Sequence, residues 1–517
     1  MARFFSSFGN HRLPCLAFIA MVLPWLNPFA PGPTPSVGPL LFSWLCVAIL
    51  AVLWALRARA AFTDQPGRCI AGAWLWAALL SCLIGLLQYF GQTQAFGQWV
   101  SSTGMGEAFG NLRQRNQFAT LTSLGLLALL WHVAQWRPAG VERMAPAAYW
   151  LLWLVAAVLL ALGNAASGSR TGLMQWGLVI LLLAIWRTRT QGRVLAVGLL
   201  ALALYLAAVR GLPWLLETTT GFRATGLLGR LQEDVGCSSR RVLWANVLHL
   251  VTQKPWLGWG WGELDFAHFA TLYPGERFCD ILDNAHNLPL HLAAELGAPL
   301  AVLACVALVW LVWVAKPWRA VGATRQLAWG VLAVIALHSL VEYPLWYGPF
   351  QMAVGLSVWL LWREARAGVS DDHSSIKHGI ALVFIGVIAS IFIAFLGFVT
   401  WDYRRVSQLY LAPESRVEAY REGTLEKVRG SSLFRDQVEF AELTTTRLGP
   451  ENAEYLNAMA RRLVHFSPEP RVVQKLIDSA AMLGDVEEAR FYAERYKVAF
   501  PLSYADWMRE SGRDETP

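Results

Sequence analysis

The sequence predicts an all-α polytopic membrane protein with about eleven transmembrane helices. Of the 517 residues, 56% are hydrophobic and only 15% are charged, whereas a soluble protein of this length would be nearer 25% charged. The charges are also segregated, because long stretches contain none, as expected when about 20 apolar residues cross a bilayer as one helix. The net charge of +7 does not indicate nucleic-acid binding, since the basic residues form short clusters between apolar runs.

The predicted spans follow one another through residues 1–401, each an apolar run of helical length. The first run lacks a convincing small-residue cleavage site, so we interpret it as an anchor and not as a cleaved signal peptide. The eleven spans are predicted near 13–29, 37–56, 70–91, 117–134, 146–163, 171–186, 194–210, 287–314, 327–342, 349–362 and 379–401.

Basic residues in the short connections predict the orientation. The short connections on one side hold only Arg170, and those on the other hold sixteen Lys and Arg. By the positive-inside rule the sixteen-residue side and the N-terminus are cytoplasmic, and residues 92–116, 211–286 and the tail are outside. The sixteen are Arg3, Arg12, Arg57, Arg59, Arg68, Arg137, Arg143, Arg187, Arg189, Arg193, Lys316, Arg319, Arg325, Arg363, Arg366 and Lys377.

Two domains are predicted, a transmembrane catalytic domain at 1–401 and a periplasmic helical domain at 402–517. The tail is charged and has few long apolar runs. In "AAMLGDVEEARFYAERYKVAFP", Gly484 is predicted to form the turn between two helices, and Pro501 follows the second helix. This pattern is typical of a helix-turn-helix unit of the tetratricopeptide type. Its predicted task is to position a macromolecular partner, with a structural cap as the alternative.

Polar residues that could bind a substrate or take part in a reaction lie on the predicted outer face. "SGSRTG" contains Arg170, "SSRRVLW" contains Arg240, and "DNAHNLPLHLAAELG" places His286 and Asn287 at the start of the eighth span. Guanidinium groups bind phosphate oxygens through paired donors, so outward arginines beside a histidine fit a phosphorylated lipid. The same outer face holds a further set of candidates, Arg113, Arg115, Asn116 and Gln117.

His286 is open to three interpretations. The N-terminus of the helix near 287 disfavours protonation of the imidazole, and a neutral imidazole is what a general base requires. His286 could instead cap the helix, or bind a metal with Asp283 and His291. The five-residue gap between the two histidines weakens the metal alternative, because zinc ligands on a helix favour i, i+4 spacing. No metal and no cofactor are expected.

These motifs, in this order, resemble the signatures of the O-antigen ligase/polymerase (Wzy-C) superfamily: "SGSRTG", "SSRRVLW…KPWLGWGWGE" and "DNAHNLPLHLAAELG". "NLRQRNQFATL" and "VEYPLWYGPF" resemble more particularly the PglL-type O-linked protein oligosaccharyltransferases, the pilin glycosylases. The tail is similar to the extra C-terminal domain of that branch. The resemblance runs over roughly residues 100–500.

The resemblance implies a bacterial inner-membrane enzyme that transfers glycan from undecaprenyl diphosphate to a periplasmic hydroxyl, without metal and with inversion. His286 would be the base that activates the acceptor, and Arg170 and Arg240 would hold the diphosphate. Arg240 is chosen because it stands four residues before the tryptophan of the "R-x-x-L-W" signature. Tyr343 or Tyr347 would line the same site.

The implied partners are the lipid-linked glycan donor, an acceptor protein such as a pilin, and membrane lipids. Two alternatives keep the chemistry and change the acceptor: lipid A core for an O-antigen ligase, or a growing glycan for a polymerase. A lipid or glycan transporter without catalysis is a third alternative. The scarcity of ionisable residues within the predicted spans argues against transport.

Cys237 and Cys279 are the two cysteines of the predicted outer loop. Because this loop is predicted to face an oxidising compartment, we expect them to form a disulfide. The bond would tie the segment that carries Arg240 to the one that carries His286.

Overall fold

The computed structural model describes residues 2–57, 66–135, 146–187, 192–230, 236–366 and 375–510. Four of the sixteen predicted cytoplasmic basic residues, Arg59, Arg137, Arg143 and Arg189, lie outside these ranges, as do residues 231–235 of the predicted outer loop. The described chain is built from helices joined by turns. They are α1 (Ala2–Leu26), α2 (Val37–Arg57), α3 (Pro66–Tyr89), α4 (Arg115–Gln135), α5 (Pro146–Ser167), α6 (Arg170–Ile185), α7 (Gly192–Thr220), α8 (Leu227–Arg230), α9 (Arg240–Gln253), α10 (Leu264–Ala270), α11 (Leu288–Leu296), α12 (Ala298–Ala315), α13 (Ala323–Ser339), α14 (Gly348–Arg366), α15 (Ser375–Ser407), α16 (Thr424–Val428), α17 (Arg435–Thr445), α18 (Ala453–Phe466), α19 (Pro470–Met482), α20 (Val486–Ala499) and α21 (Pro501–Glu510).

Apolar helices confirm a multi-pass membrane protein. Two shorter apolar helices, Leu13–Leu26 and Arg170–Ile185, accompany seven that are long and apolar enough to cross a membrane. The count of eleven spans remains a prediction. The seven, searched within the described residues, are Val37–Ala55, Pro66–Tyr89, Arg115–Gln135, Ala147–Ser167, Gly192–Thr220, Ala298–Arg319 and Leu382–Tyr410.

The predicted eighth span, 287–314, is two helices in the structure. Helix α11 ends before Gly297, whose φ of 87° breaks the helix, and α12 begins at Ala298. The candidate membrane span begins at Ala298, so α11 lies outside it. Glu295, which the sequence places in the apolar interior, therefore belongs to the segment before the span.

The chain divides into two compact units. The first comprises residues 1–233 and 312–397, and the second comprises 234–311 and 398–517. The second unit thus groups most of the predicted outer loop with the tail. The division predicted from the sequence, at residue 401, remains a prediction.

The first unit is organised around α4, which is buried along nearly its whole length. Helices α3, α5, α6 and α13 pack against it. Small residues allow close contact: a Cβ added at Gly330 of α13 would stand 2.8 Å from a methyl group of Leu127. A helix that is apolar on all sides requires such neighbours around its circumference.

A polar network crosses this core between α4, α6 and α13. Gln175 donates to the hydroxyl of Thr120 at 2.8 Å and accepts from Ser123 at 3.0 Å. The Thr120 hydroxyl also lies 2.9 Å from Nδ1 of His338. Buried polar groups require such partners, so His338 contributes to packing between helices at this position.

The second unit has two hydrophobic cores that share α10. Leu264 and Ala267 of α10 pack with α9, α11 and Phe278. Phe269 of the same helix belongs to the core of the tail, together with buried residues of α18 and α19. The seven-residue α10 therefore has apolar contacts on both sides: with α9, α11 and Phe278 on one side, and with the core of the tail on the other.

The helix-turn-helix predicted in the tail is present. Helix α19 ends at Met482, Gly484 adopts a φ of 82°, and α20 runs from Val486. Asp485 caps α20 by accepting from the amide of Glu488 at 3.0 Å. Assignment of this unit to the tetratricopeptide type remains a prediction.

Candidate active site

His286 stands directly before α11 but does not cap it. Asn287 occupies the N-cap position, and its side chain accepts from the amide of Leu290 at 3.0 Å. His286 adopts a left-handed backbone conformation with a φ of 49°, and its amide donates to the side chain of Asn284 at 2.9 Å. The capping interpretation of His286 is therefore wrong, because Asn287 performs that function.

Helix α9, on which Arg240 lies, contacts the segment that carries His286. Arg240 is the first residue of α9, whose N-cap is Ser239. Trp244, one turn later on the same face, donates from its indole to the carbonyl of Ala285 at 3.1 Å. Within the second unit, the "R-x-x-L-W" signature is thus linked directly to the residue before His286.

Two further crosslinks hold this segment. Cys237 and Cys279 are joined as a disulfide, with their Cα atoms 5.4 Å apart. The buried side chain of Asn246 donates to the carbonyl of Glu276 at 2.9 Å and accepts from the amide of Phe278 at 2.8 Å. The sequence did not predict these two hydrogen bonds of Asn246, because an asparagine within a helix gives no indication of a partner thirty residues away.

His291 and Glu295 form a buried pair one turn apart on α11, 3.4 Å from nitrogen to oxygen. The Glu295 carboxylate accepts from the backbone amides of Gly262 and Leu264, at the start of α10, and burial raises its pKa to about 7. Burial, with a contribution from nearby His286, lowers the pKa of His291 to about 4. His291 is thus a neutral structural residue that supports α11.

The Gly/Trp turn "KPWLGWGWGE" is locked against the end of α11. The amides of Trp259 and Gly260 donate to the carbonyls of Ala294 and Glu295 at 2.9 and 3.0 Å. A Cβ added at Gly297 would collide with the carbonyl of Trp256. Glycine at 297 therefore serves a close backbone approach, and its φ of 87° adds a second requirement for it.

Helix α10 carries two titratable residues whose pKa values shift in opposite directions. Burial lowers the pKa of His268 to about 3, and its ring bridges the Tyr273 hydroxyl at 2.8 Å and the Phe278 carbonyl at 3.0 Å. Burial raises the pKa of Asp265 to about 7, and the nearby carboxylates of Glu263 and Asp283 add to the effect.

The tail contacts the same short helix. The imidazole of His465, on α18, lies 2.7 Å from the carboxylate of Glu263, and its ring packs at a tilt against Phe266, with 3.8 Å between the ring centroids. On the other side, the guanidinium of Arg495 donates to the carbonyl of Ala270 at 2.7 Å. Polar contacts at both ends of α10 therefore add to its apolar ones.

In the first unit, Asn116 is the centre of a hydrogen-bonded group at the start of α4. Its amide donates to the buried carboxylate of Glu342 at 3.0 Å, and Gln114 donates to the same carboxylate at 3.1 Å. The side-chain oxygen of Asn116 accepts from the hydroxyl of Ser169 at 2.6 Å. Ser169 is the N-cap of α6, so the group fixes the end of the helix on which Arg170 is the first residue.

Arg170 is exposed at the N-terminus of α6. The rings of Tyr343 and Tyr347, directly after Glu342, stack with centroids 5.8 Å apart. Both tyrosines are half-buried, and the structure does not rank one above the other. Gln117 is only 1% exposed within α4, and its amide nitrogen finds no acceptor among the described residues.

Arg113 and Arg115 have different environments. Arg113 adopts a φ of 59° and donates to the carbonyl of Pro28. Arg115 forms an ion pair with Glu107 at 2.9 Å, and Arg230 approaches the same carboxylate oxygen at 3.6 Å. Arg230 was not identified from the sequence, because no recognisable motif surrounds it in the predicted outer loop.

Comparisons with known proteins confirm the predicted resemblance. The family described as O-Antigen ligase matches residues 155–305, Protein glycosylation ligase matches 108–131, and Virulence factor membrane-bound polymerase, C-terminal, matches 326–512. The first match contains Arg170, Arg240 and His286, and the second contains the candidates from Arg113 to Gln117.

Two curated relatives are similar to the chain. A General O-oligosaccharyltransferase from Acinetobacter baylyi is 25% identical over 293 residues, which cover 55% of this chain and 48% of the relative. A ComP-specific O-oligosaccharyltransferase from the same organism is 24% identical over 315 residues, covering 60% and 54%. The chain thus spans about half the length of the relatives it matches. Their names support the predicted assignment to the glycosyltransferases.

Proposed function

We propose that this protein transfers an oligosaccharide en bloc from undecaprenyl diphosphate to Ser or Thr hydroxyls of a periplasmic protein such as a pilin. Two relatives are named O-oligosaccharyltransferases, and a protein glycosylation ligase family matches residues 108–131. The proposed location is the bacterial inner membrane, crossed by eleven helices from a cytoplasmic N-terminus. In this topology the loop 211–286 and the tail 402–517 are periplasmic.

The observation that carries the proposed mechanism is the arrangement around His286. Asn287 caps α11, so capping does not account for the histidine. Its left-handed backbone conformation is one that non-glycine residues seldom adopt and that recurs at functional sites.

In the proposed reaction, His286 takes the proton from the acceptor hydroxyl as the oxygen attacks the anomeric carbon. The new glycosidic bond forms as the bond between that carbon and the diphosphate oxygen breaks, with inversion. Undecaprenyl diphosphate departs with the bonding electron pair. Arg170 and Arg240 would hold the diphosphate, because guanidinium groups stabilise charge that develops on phosphate oxygens.

The direct test is a transfer assay with purified protein, lipid-linked glycan and an acceptor protein. His286→Ala is expected to lower the rate by about 10²-fold or more, the usual contribution of a general base. His249→Ala is the matched control, since His249 lies on α9 in the same unit and contacts Gln253. Near wild-type transfer by His286→Ala would show that the base is assigned incorrectly.

The arginine assignment has a control in the neighbouring residue. Arg240→Gln is expected to reduce transfer by at least tenfold, whereas Arg241→Gln, at an exposed position of the same helix turn, is expected to retain it. A loss that is equal in both variants would indicate a general effect of positive charge. That result would contradict a specific role for Arg240.

The family matches also support a second acceptor class. The models described as O-Antigen ligase and as a membrane-bound polymerase cover residues 155–305 and 326–512, so lipid A core or a growing glycan remains an alternative acceptor. Glycoproteomics of a deletion strain, compared with its lipopolysaccharide gel, distinguishes these acceptors. Release of free undecaprenyl diphosphate during turnover would exclude a transporter.

A further inference from the structure

A single carboxylate in the first unit lies between two arginines. One oxygen of Glu107 is 2.9 Å from a guanidinium nitrogen of Arg115 and 3.6 Å from one of Arg230. The three side chains are 35%, 28% and 24% exposed, respectively. They are therefore reachable from solvent, and the group carries one net positive charge.

Close backbone packing brings the three residues together. Gly106 has a φ of 83°, and a Cβ added there would stand 2.8 Å from the Cβ of Ala224. This contact places the segment before Glu107 against the loop that leads to Arg230. Arg230 in turn lies against Gly168, where an added Cβ would be 3.6 Å from its guanidinium Nε.

The group lies beside the start of α6. Gly168 precedes Ser169, the N-cap of α6, and Ser169 is hydrogen-bonded to Asn116, the neighbour of Arg115. The N-terminus of this sixteen-residue helix favours an anion. Glu107 is thus an internal anion between two guanidinium groups, and one of them, that of Arg230, lies beside Gly168 just before this helix.

An external diphosphate offers these arginines more than Glu107 does. It carries more negative charge than one carboxylate and has enough oxygens to engage both guanidinium groups through paired donors. The ion pairs with Glu107 are partly exposed, and such pairs are weak enough to be exchanged readily.

Building on the proposed function, we propose that Arg115 and Arg230 form a further binding pair for the diphosphate headgroup of the lipid donor, and that Glu107 occupies them until the donor binds. Glu107 is a built-in competitor in this arrangement. It neutralises one of the two positive charges while the site is empty. The donor diphosphate displaces the carboxylate when it binds.

The test is the affinity of the full-length protein, in nanodiscs, for undecaprenyl diphosphate. Glu107→Gln is expected to tighten binding by about three- to tenfold, because it removes the competitor and leaves both arginines in place. Arg230→Gln is expected to weaken binding by about tenfold. Unchanged or weaker binding by Glu107→Gln would overturn the proposal.

Glu217→Gln is the matched control for added positive charge. Glu217 forms an exposed ion pair with Arg223 at 2.7 Å in the same unit, so its neutralisation changes the net charge by the same amount. It is expected to leave donor affinity unchanged. A gain equal to that of Glu107→Gln would show a non-specific charge effect and overturn the proposal.

The double variant Glu107→Gln/Arg230→Gln tests whether Glu107 acts through Arg230. The gain in donor affinity from Glu107→Gln should shrink by at least half when Arg230 is replaced. An equal gain with and without Arg230 would show that Glu107 does not act through Arg230 and would overturn the proposal. Unfolding temperatures are measured for each variant, and an Arg230→Gln protein that unfolds early is replaced by Arg230→Lys, which keeps the charge and loses the paired donors. Arg230→Lys is then expected to weaken binding by at least threefold, and wild-type affinity would overturn the proposal.

Inorganic pyrophosphate is the second probe and separates a lipid headgroup from a free diphosphate. If Glu107→Gln tightened only pyrophosphate, the pair would bind free diphosphate and the proposal would fail as stated. Because these measurements require no transfer, they are independent of the proposed function. Failure of glycan transfer with these affinity changes intact would refute that function alone.

Discussion

Asp265→Asn is predicted to make the region around α10 labile to acid. The reason is that Asp265 and His268, one turn apart, respond to pH with opposite sign. The pKa of His268 is lowered from 6.5 to about 3 in the folded protein, so the unfolded segment binds a proton that the folded one rejects. Its contribution to stability therefore falls as pH drops below 6.5.

Asp265 acts in the other direction. Its pKa is raised from 3.8 to about 7 on folding, so between these values the folded segment binds a proton that the unfolded one lacks. Stability therefore rises as pH falls through this window. His291, with a pKa lowered to about 4, and Glu295, with one raised to about 7, form a second pair of opposite sign. In the wild type, the opening free energy of this region should therefore change little between pH 5 and 6.5.

The magnitude follows from the shifts. Each pH unit in which one proton is bound by only one state changes the free energy of opening by about 1.4 kcal/mol. Over the 1.5 units between pH 6.5 and 5, His268 alone destabilises the folded segment by about 2 kcal/mol. Asp265→Asn removes the compensating carboxylate, so this loss should appear in full.

Hydrogen exchange measures this effect on the amides of residues 264–279. After correction for the intrinsic pH dependence of exchange, the opening free energy of the variant should fall by about 2 kcal/mol from pH 6.5 to 5. The wild-type value should change little. Glu276→Gln, at an exposed position of the same segment, is the control and should match the wild type. A variant as insensitive to pH as the wild type would refute the reasoning.

Three other perturbations address the second unit. Glu295→Ala leaves the amides of Gly262 and Leu264 without their acceptor. The free energy of opening at these two amides should therefore fall by roughly 1–3 kcal/mol, which is measured as faster amide exchange. Unchanged exchange would contradict the role of Glu295 as their acceptor. Gly297→Ala collides with the preceding loop and should lower the unfolding temperature or prevent accumulation, whereas Gly275→Ala, which meets nothing within 4 Å, should be tolerated. Cys237→Ser removes the disulfide and should lower the free energy of unfolding of the segment between residues 237 and 279 by about 3–4 kcal/mol. If mass spectrometry of the non-reduced wild type showed both thiols free, this prediction would be wrong.

Helix positions were predictable because a run of about 20 apolar residues indicates a membrane-spanning helix, whether or not other helices cover it. The predicted start of the eighth span is also the start of a helix, and His286 lies directly before it as expected. The interruption at Gly297 was not predictable. Its cause is the approach of the loop at Trp256, which is a contact between segments about forty residues apart and leaves no periodic signal.

Pairings between distant polar residues were equally hidden. The sequence identified Arg115 and Asn116 as a group, but not that Arg115 pairs with Glu107 while Asn116 pairs with Glu342. Single charges in loops have no preferred partner until packing brings segments together. The cysteine pair was an exception, because the outer loop contains only two thiols and so leaves one possible bond.

The position of α10 between two cores determines how this protein can be recombined with its relatives. A chimera cut at the end of the last apolar helix would separate the tail from Phe269, which completes its core, and from the contacts of Glu263 and Ala270 with His465 and Arg495. The tail alone therefore cannot be replaced by the tail of a relative without loss of these contacts. A working exchange must move the segment that carries α9, α10 and α11 together with the tail.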